Sequence, residues 1–337
     1  MDTEKDMSRR AFLKDSILAG GSLMLSGILP LKAGNNYIMQ ERKTDYELNE
    51  SDSILKGICD IHIHAAPDSR MRSVDEWHFA QEAQKAGYRA IMYKSNDFSC
   101  HDRAYLIRQG ISDIEVFGSL CMNRVHGDRV NAYAAEKAVA TSGGLCRCIW
   151  MPTLDAEYHY RCEGRKEKGI PVLDRSGQVL PEVIRVMEIC AEADIIFATG
   201  HCSPQESIIL ARKASEIGVK RFVVTHANSH FWMMTSDQIR QCVDLGAYIE
   251  YCYLPCLWGE NSGMPQYERQ STGTFADLVR VSSDRGFIST DLGQSVMPHP
   301  IAGMKQCIKD LDKAGFTTTE INRLVRDNPA MLIGLND

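Results

Sequence analysis

Short hydrophobic runs alternate with amphipathic stretches along most of the chain. From residue 57 onward each run is apolar throughout, as expected of a parallel strand that is buried on both faces, and a helical pattern follows it. The runs predict eight strands, at 57–62, 89–94, 114–120, 146–151, 195–199, 221–225, 247–251 and 286–290. Eight successive βα units predict an α/β fold, a (β/α)8 TIM barrel, as a single domain over 57–337.

Helix signals separate the strands. Ser203 and Glu206 are spaced as a capping box for a helix that ends at Gly218, and Ser73 with Glu76 predicts a similar start. Further helices are predicted at 129–142, 180–193, 236–245, 274–285 and 301–314, with a closing C-terminal helix at 318–326.

Two intervals between strands are wider than the others and predict insertions. The first, at 170–180 after strand 4, has the pattern of a small hairpin, and the second, at 253–273 after strand 7, is rich in Pro, Gly and aromatic residues. Loops that follow strands lie on the catalytic face of such a barrel. Both insertions are therefore candidate substrate walls.

The first residues have a different pattern. Arg9 and Arg10 precede Phe12 and Leu13, and a weakly apolar run follows that is too short and too broken by glycines for a comfortable membrane span. This order is typical of a twin-arginine signal peptide, predicted at 1–33, with a lead-in at 34–56. The prediction implies contact with the twin-arginine export machinery and a periplasmic or other extracytoplasmic location. An uncleaved signal anchor and an ordinary amphipathic N-terminal helix are the alternatives.

Composition narrows the classes of function. The chain is 44% hydrophobic and 24% charged, with a net charge of -6 and no basic block, so nucleic acid is not an expected partner. A small-molecule substrate is expected, and self-association into a homo-oligomer is left open. Most of the 12 cysteines fall in or beside apolar runs, which predicts buried thiols rather than a disulfide framework.

Imidazoles and one carboxylate fall at the carboxyl ends of the predicted strands. His62 and His64 alternate with isoleucine at strand 1, so both project to one side, and His201, His226 and Asp291 end strands 5, 6 and 8. Imidazole nitrogen and carboxylate oxygen suit a zinc-like divalent ion that leaves positions open for water. The sequence therefore predicts a metal site in the barrel mouth.

These residues resemble the pattern of the amidohydrolase superfamily, which has His-x-His on strand 1, His on strands 5 and 6, and Asp on strand 8. The resemblance covers roughly residues 57–335, including an Asn-Pro-Ala segment near the end. It implies that His62, His64 and Asp291 hold a first metal, and that His201 and His226 hold a second or face the substrate. It also implies catalytic roles for Asp291, as proton shuttle, and His226.

One feature departs from that pattern. Binuclear members of the superfamily usually bridge their metals with a carboxylated Lys or a Glu at the end of strand 4, where this chain has Trp150-Met151. Strand 2 instead ends in Lys94, and some members draw a bridging ligand from strand 2. Three roles for Lys94 stay open: a carboxylated bridge, a binder of a substrate carboxylate, or a salt-bridge partner. The number of metal ions, one or two, depends on this choice.

The expected activity is that of a metal-dependent hydrolase of the amidohydrolase type, in which a metal-activated water attacks an amide, ester, lactone or related bond. The alternative is a non-hydrolytic decarboxylase or lyase of the same superfamily, which a single metal and an unmodified Lys94 would favour. A barrel that binds metal without catalysis is a third option.

Other residues are second-tier candidates. Asn123, Arg124 and His126 follow strand 3 as candidate substrate-binding residues, since an Arg there could orient an anionic group. An exposed loop charge is the competing interpretation of Arg124. Glu250, within strand 7, is a candidate partner for a metal ligand.

Overall fold

The computed structural model describes residues 46–47 and 49–335. The predicted signal peptide at 1–33 lies outside this part of the chain, as does most of the predicted lead-in. Among the described residues, no helix is both long enough and apolar enough to cross a membrane.

All eight predicted strands are confirmed, each within two residues of its expected bounds. They are β1 (Cys59–Ile63), β2 (Ala90–Tyr93), β3 (Glu115–Cys121), β4 (Cys146–Trp150), β5 (Ile196–Ala198), β6 (Phe222–Val224), β7 (Tyr248–Cys252) and β8 (Gly286–Ser289). Neighbours in the chain are neighbours in the sheet, every pair is parallel, and the order is β1 to β8. The chain is a (β/α)8 TIM barrel.

Backbone hydrogen bonds close the barrel between its first and last strands. The amide of Asp291 donates to the carbonyl of His62 at 2.9 Å, and the amide of His64 donates to that of Leu292 at 2.8 Å. We call these two bonds the β1–β8 closure. They place the end of β1 directly beside the end of β8, and the predicted ligands of both strands come together there.

A buried carboxylate reinforces this junction below the mouth. Asp60 accepts a hydrogen bond from the Thr290 hydroxyl at 2.6 Å and another from the Thr290 amide at 3.1 Å. Burial raises the pKa of Asp60 to about 7, in spite of these hydrogen bonds. Asp60 therefore links the two strands one residue before Asp291.

The helices cover the outside of the barrel. They are α1 (Glu76–Lys85), α2 (His101–Ile107), α3 (Ala132–Ala140), α4 (Glu157–Cys162), α5 (Pro181–Glu192), α6 (Pro204–Ile217), α7 (Ser236–Asp244), α8 (Thr272–Val281), α9 (Pro300–Lys313), α10 (Thr318–Asn322) and α11 (Asn328–Leu332). The capping box that starts α6 is present, and Gly218 ends that helix in the left-handed conformation, as predicted.

Three details of the helices differ from the prediction. The N-cap of α1 is Asp75 and not Ser73, because the Asp75 carboxylate accepts from the His78 amide while the Ser73 amide pairs with the Gly293 carbonyl. Helices α2 and α4 were not predicted, being seven and six residues long with no side-chain cap. The closing helix is interrupted by a π-helical turn at Arg323–Asp327, which separates α10 from α11.

Both insertions are present. The hairpin after β4 is pinned by one antiparallel bridge between Leu173 and Val179. The loop after β7 starts with a 3₁₀ turn at Leu254–Leu257. All 12 cysteines are free thiols, and all except Cys162 are buried, which agrees with the predicted absence of a disulfide framework.

Gly200, which directly precedes His201, is held between backbone carbonyls. It has φ +60°, and a Cβ atom there would lie 2.4 Å from the carbonyl oxygen of Met151 and 2.6 Å from that of Pro152. Gly144 has nearly the same backbone, φ +61°, with no neighbouring atom within 4 Å of such a Cβ. The two glycines thus share the left-handed conformation and differ in space.

We expect Gly144→Ala to lower the free energy of unfolding by about 1–2 kcal/mol, the cost of a left-handed L-residue. Gly200→Ala should cost a further amount of about 1–3 kcal/mol, because its methyl group overlaps the carbonyls that pack against it. Urea denaturation of both variants measures the difference. Equal losses would show that the chain around Gly200 moves aside freely.

Candidate active site

The β1–β8 closure brings three of the predicted ligands to one point. The Nε2 atoms of His62 and His64 each lie 3.1 Å from the same carboxylate oxygen, Oδ1 of Asp291. All three side chains are largely buried, and their ligand atoms lie within 4.8 Å of one another. This is a set of donors that a metal ion can bind.

Two of the predicted ligands have an uncommon backbone conformation. His226 has φ +58° and Asp291 has φ +54°, both in the left-handed region that L-residues seldom occupy. The backbone strain is held by surrounding hydrogen bonds, among them that of the Asp291 amide to His62. This backbone conformation turns both side chains toward the other predicted ligands. His226 Nδ1 lies 3.9 Å from Asp291 Oδ2.

The remaining predicted ligand, His201, completes the cluster from β5. Its ring centroid lies 5.1 Å from that of His226, which is itself 5.3 Å from that of His62. Trp232, in the loop after β6, covers His201 with a centroid distance of 4.2 Å. The structure thus assembles His62, His64, His201, His226 and Asp291 in one place, which we call the mouth cluster.

Three imidazoles of the mouth cluster are held in the neutral form. Burial lowers the pKa of His64 to about 3 and that of His226 to about 4, and it lowers the pKa of His201 well below the ordinary value. A neutral imidazole keeps a lone pair for a metal ion, whereas an imidazolium does not. Their electrostatic environment therefore suits a ligand role.

Glu250 orients His62 from inside the barrel. Its Oε1 atom lies 2.9 Å from His62 Nδ1 and accepts from the Ser289 hydroxyl at 2.7 Å. The pair fixes the ring so that Nε2 faces Asp291. Glu250 is fully buried, and its second oxygen has no hydrogen-bond partner in the part of the chain that the structure describes.

In the absence of a metal ion, His62 and the two buried carboxylates shift one another's pKa values toward the charged forms. Burial opposes the charge of Asp291 and Glu250, but His62 holds the pKa of both carboxyls below their ordinary values. Burial and Lys94 lower the pKa of His62, whereas Asp291 and Glu250 raise it, and the net shift is upward. Two buried carboxylates at this point favour a bound cation.

Lys94 reaches the mouth cluster from the end of β2. Its Nζ atom lies 3.0 Å from His62 Nε2 and 4.7 Å from the centroid of the Trp150 ring. Trp150 ends β4, where the superfamily pattern has a bridging ligand, and its ring lies 4.8 Å from that of His62. The Trp150 indole thus takes the position at the end of β4, and the Lys94 amine lies next to His62.

Cys252 belongs to an alternative set of donors with His62 and His226. Its sulfur lies 3.1 Å from His226 Nδ1 and 3.8 Å from His62 Nδ1. Burial raises the pKa of Cys252 well above the ordinary value, which disfavours the thiolate that a metal requires. Since Glu250 also engages His62 Nδ1, the set His62, His64 and Asp291 is the better candidate for a metal site.

Sequence reasoning missed one neighbour of the mouth cluster, Arg72. Arg72 donates to His64 Nδ1 at 3.2 Å and to Asp68 at 3.0 Å, although it lies eight residues beyond His64 in an irregular loop. A neutral ring that accepts at Nδ1 carries its proton at Nε2. To bind a cation at Nε2, His64 must move that proton, so the cation and this Arg72 contact exclude each other.

A second neighbour is His159, on the short helix α4, which the sequence offered only as a weaker candidate facing the cleft or solvent. Its Nδ1 atom lies 3.0 Å from His201 Nδ1, and its Nε2 atom lies 3.2 Å from Glu163. The contact leaves His201 Nε2 as the nitrogen available to a ligand. Neither contact has a sequence signal, because both partners lie on irregular or unpredicted segments.

The predicted substrate-binding residues after β3 make their hydrogen bonds elsewhere. Asn123 is buried, donates to the Asn96 carbonyl and the Thr153 hydroxyl, and accepts from the Thr153 amide, so it ties together the ends of β2, β3 and β4. Arg124 is exposed and donates to the Lys168 carbonyl at 2.7 Å. His126 is half-buried and lies with Arg124 in a short 3₁₀ turn, Arg124–His126. A substrate role for these three stays a prediction.

Comparison with known proteins gives a family and a fold. The sequence profile of a family described as a family of unknown function (DUF6282) matches residues 57–250. No curated protein matches the sequence.

Three of the similar solved structures carry names of hydrolases. A triple mutant of an organophosphorus hydrolase from Deinococcus radiodurans is 13% identical, with a TM-score of 0.53 over 84% of this chain and 94% of that one. An amidohydrolase from Pseudomonas aeruginosa is 10% identical, with a TM-score of 0.54 over 84% and 98%. A dihydroorotase is 14% identical, with a TM-score of 0.52 over 83% and 70%. At this identity the likeness establishes the barrel fold.

We expect Glu250→Gln to weaken zinc binding about 10–100-fold, because loss of the carboxylate that orients a ligating imidazole typically has this effect. Isothermal titration calorimetry against a competing chelator measures the change. Glu82→Gln is the matched control, since Glu82 also pairs with a histidine, His299 at 3.0 Å, but away from the mouth cluster. Equal zinc affinity in both variants would contradict the role assigned to Glu250.

Proposed function

The chain belongs to the family of unknown function DUF6282. That family description assigns no activity, and from the residues of the candidate site we propose that the chain is a metal-dependent hydrolase. Its substrate is a small molecule with an amide, ester, lactone or related bond. The observation that carries the proposal is the convergence of His62 Nε2 and His64 Nε2 on Asp291 Oδ1. The hydrolase names of the solved structures with the same fold are in accord with it.

His62, His64 and Asp291 would hold a divalent cation, which the donor set suggests is zinc. His201 and His226 would hold a second ion or face the substrate, and Lys94 would bridge the two ions if it is carboxylated. A cation bound at such a site lowers the pKa of a water molecule and polarises the bond to be cleaved.

Asp291 is the proposed general base. Its Oδ1 atom faces His62 and His64, which leaves Oδ2 to take the proton of the attacking water. The low pKa of this carboxyl, held by His62 against the effect of burial, keeps it in the carboxylate form that a general base requires. The same oxygen can then return the proton to the departing amine or alcohol.

His226 is the second proposed catalytic residue. Its Nδ1 atom lies 3.1 Å from Cys252 Sγ and 3.9 Å from Asp291 Oδ2, so the ring stands beside the oxygen that moves the proton. Trp232 packs against His226 with a centroid distance of 5.3 Å and keeps bulk water from that side.

A decarboxylase or lyase is the alternative, and one observation favours it. Trp150 takes the β4 position where a bridging ligand would stand, and the Lys94 Nζ atom lies 3.0 Å from His62 Nε2. A single cation beside a free amine suits an acid substrate that loses carbon dioxide, whereas a carboxylated Lys94 implies two ions and favours hydrolysis.

The setting of the reaction is proposed from the sequence alone. Export by the twin-arginine machinery carries a folded protein, so the cation would be loaded before the protein reaches the periplasm. Self-association is left open.

Asp291→Asn should reduce the turnover number by about 10² to 10⁴-fold, because the amide cannot accept the proton of the attacking water. Metal content should stay largely unchanged, since one oxygen ligand remains. Steady-state kinetics on an ester, amide and lactone panel, with metal analysis of each preparation, measures both quantities.

Asp194→Asn is the matched control for this variant. Asp194 is likewise an aspartate in the left-handed region, with φ +51°, but it pairs with Arg221 outside the mouth cluster. It should keep wild-type turnover. If Asp291→Asn kept more than roughly a tenth of wild-type turnover, Asp291 could not be a general base of this strength.

A further inference from the structure

Exposed apolar side chains surround the barrel mouth. Of the nine large hydrophobic side chains that are exposed in the described part of the chain, five lie on loops that directly follow strands. They are Met71 after β1, Phe98 after β2, Val125 after β3, Met233 after β6 and Val296 after β8, with exposures between 38% and 53%. We call these five residues the apolar rim. Loops of this kind open on the same end of the barrel as the mouth cluster.

The other four exposed hydrophobic side chains have a different position. Trp77, Tyr105, Leu106 and Tyr133 lie on the outer helices α1, α2 and α3. They belong to the outside wall of the barrel and provide a comparison for the apolar rim.

An apolar path leads from the rim to the mouth cluster. Met233 directly follows Trp232, whose ring packs on His201. On the other side, a separate hydrophobic cluster in the loops after β7 and β8 includes Trp258 and Leu292, and Leu292 is the residue after Asp291. Met233 and Val296 of the rim thus directly adjoin, along the chain, the wall residues Trp232 and Met297.

Two polar atoms among these walls have no protein partner. Trp258 Nε1 and Gln294 Oε1 are buried and lack a hydrogen bond to any described residue. The Gln294 side-chain nitrogen donates to the Asp291 main-chain carbonyl at 2.8 Å, so the Gln294 amide group packs against the backbone of the proposed general base. A buried N–H or C=O without a partner is costly, and a polar group of a ligand would satisfy it.

We propose that the substrate has a large apolar part, an acyl chain or an aryl ring, that lies across the apolar rim while its cleavable polar group reaches Asp291. This inference rests on the proposed function, since it concerns the substrate of the same site. A small molecule fits better than a protein or membrane surface, because the apolar path and the unpartnered polar atoms both lead inward to the mouth cluster.

Binding of straight-chain alkanoates, from acetate to octanoate, tests the proposal without any turnover. In zinc-loaded wild-type protein the Kd, measured by calorimetry, should fall about two- to fourfold for each added methylene, as burial of a CH₂ group predicts. Phe98→Ser with Met233→Ser should flatten this dependence. Leu106→Ser, an exposed residue on α2, should keep it. Circular dichroism melts check that each variant folds.

Hydrolysis of p-nitrophenyl acetate, butyrate, hexanoate and octanoate by the same proteins separates this inference from the proposed function. If longer alkanoates bind more tightly but no ester is cleaved, the hydrolase proposal fails and the apolar substrate stands. If esters are cleaved while neither Kd nor KM depends on chain length, the inference is overturned. Loss of vesicle binding in the double variant, with unchanged alkanoate binding, would also overturn it in favour of a membrane surface.

Discussion

The β1–β8 closure is the constraint on which the candidate site depends. Asp291 is 229 positions from His62 along the chain, and the hydrogen bond between its amide and the His62 carbonyl helps to bring their side chains within 3.1 Å of each other. The buried link from Asp60 to Thr290 fixes the same junction one layer below. In a closed barrel whose parallel strands follow the order of the chain, the last strand lies beside the first. The fold itself therefore brings the first set of ligands together.

Buried charge at the carboxyl ends of the strands is the second constraint. Asp291 and Glu250 are both buried, and a buried carboxylate is costly unless it is paired. His62 pairs with both, and Lys94 stands beside it, but Glu250 keeps one oxygen without a partner among the described residues. Stability alone would favour apolar residues here. A cation bound by the imidazoles and Asp291 would offset the unfavourable free energy of burying these carboxylates.

Much of the fold and the core of the site follow from periodicity. The strand runs are continuous and apolar, so their ends could be located within two residues, and the ligand-type residues stand at those ends. What the sequence could not supply depends on irregular backbone. Arg72 and His159 reach the mouth cluster from a loop and from a six-residue helix, neither of which has a periodic signal. Asp75, which directly precedes the first residue of α1, is the cap of that helix. Ser73 is instead held outside the helix, where its amide donates to the Gly293 carbonyl after β8.

The central claim is that the mouth cluster binds a divalent metal through the two β1 imidazoles. Elemental analysis of the purified protein, after loading with zinc and removal of the excess, tests it most directly when the wild type is compared with the variant in which His62 and His64 are both alanine. We expect about one or two equivalents of metal in the wild type. We expect almost none in the double variant, which should keep its far-ultraviolet circular dichroism spectrum. Equal metal content in the two proteins would show that His62 and His64 do not bind the metal.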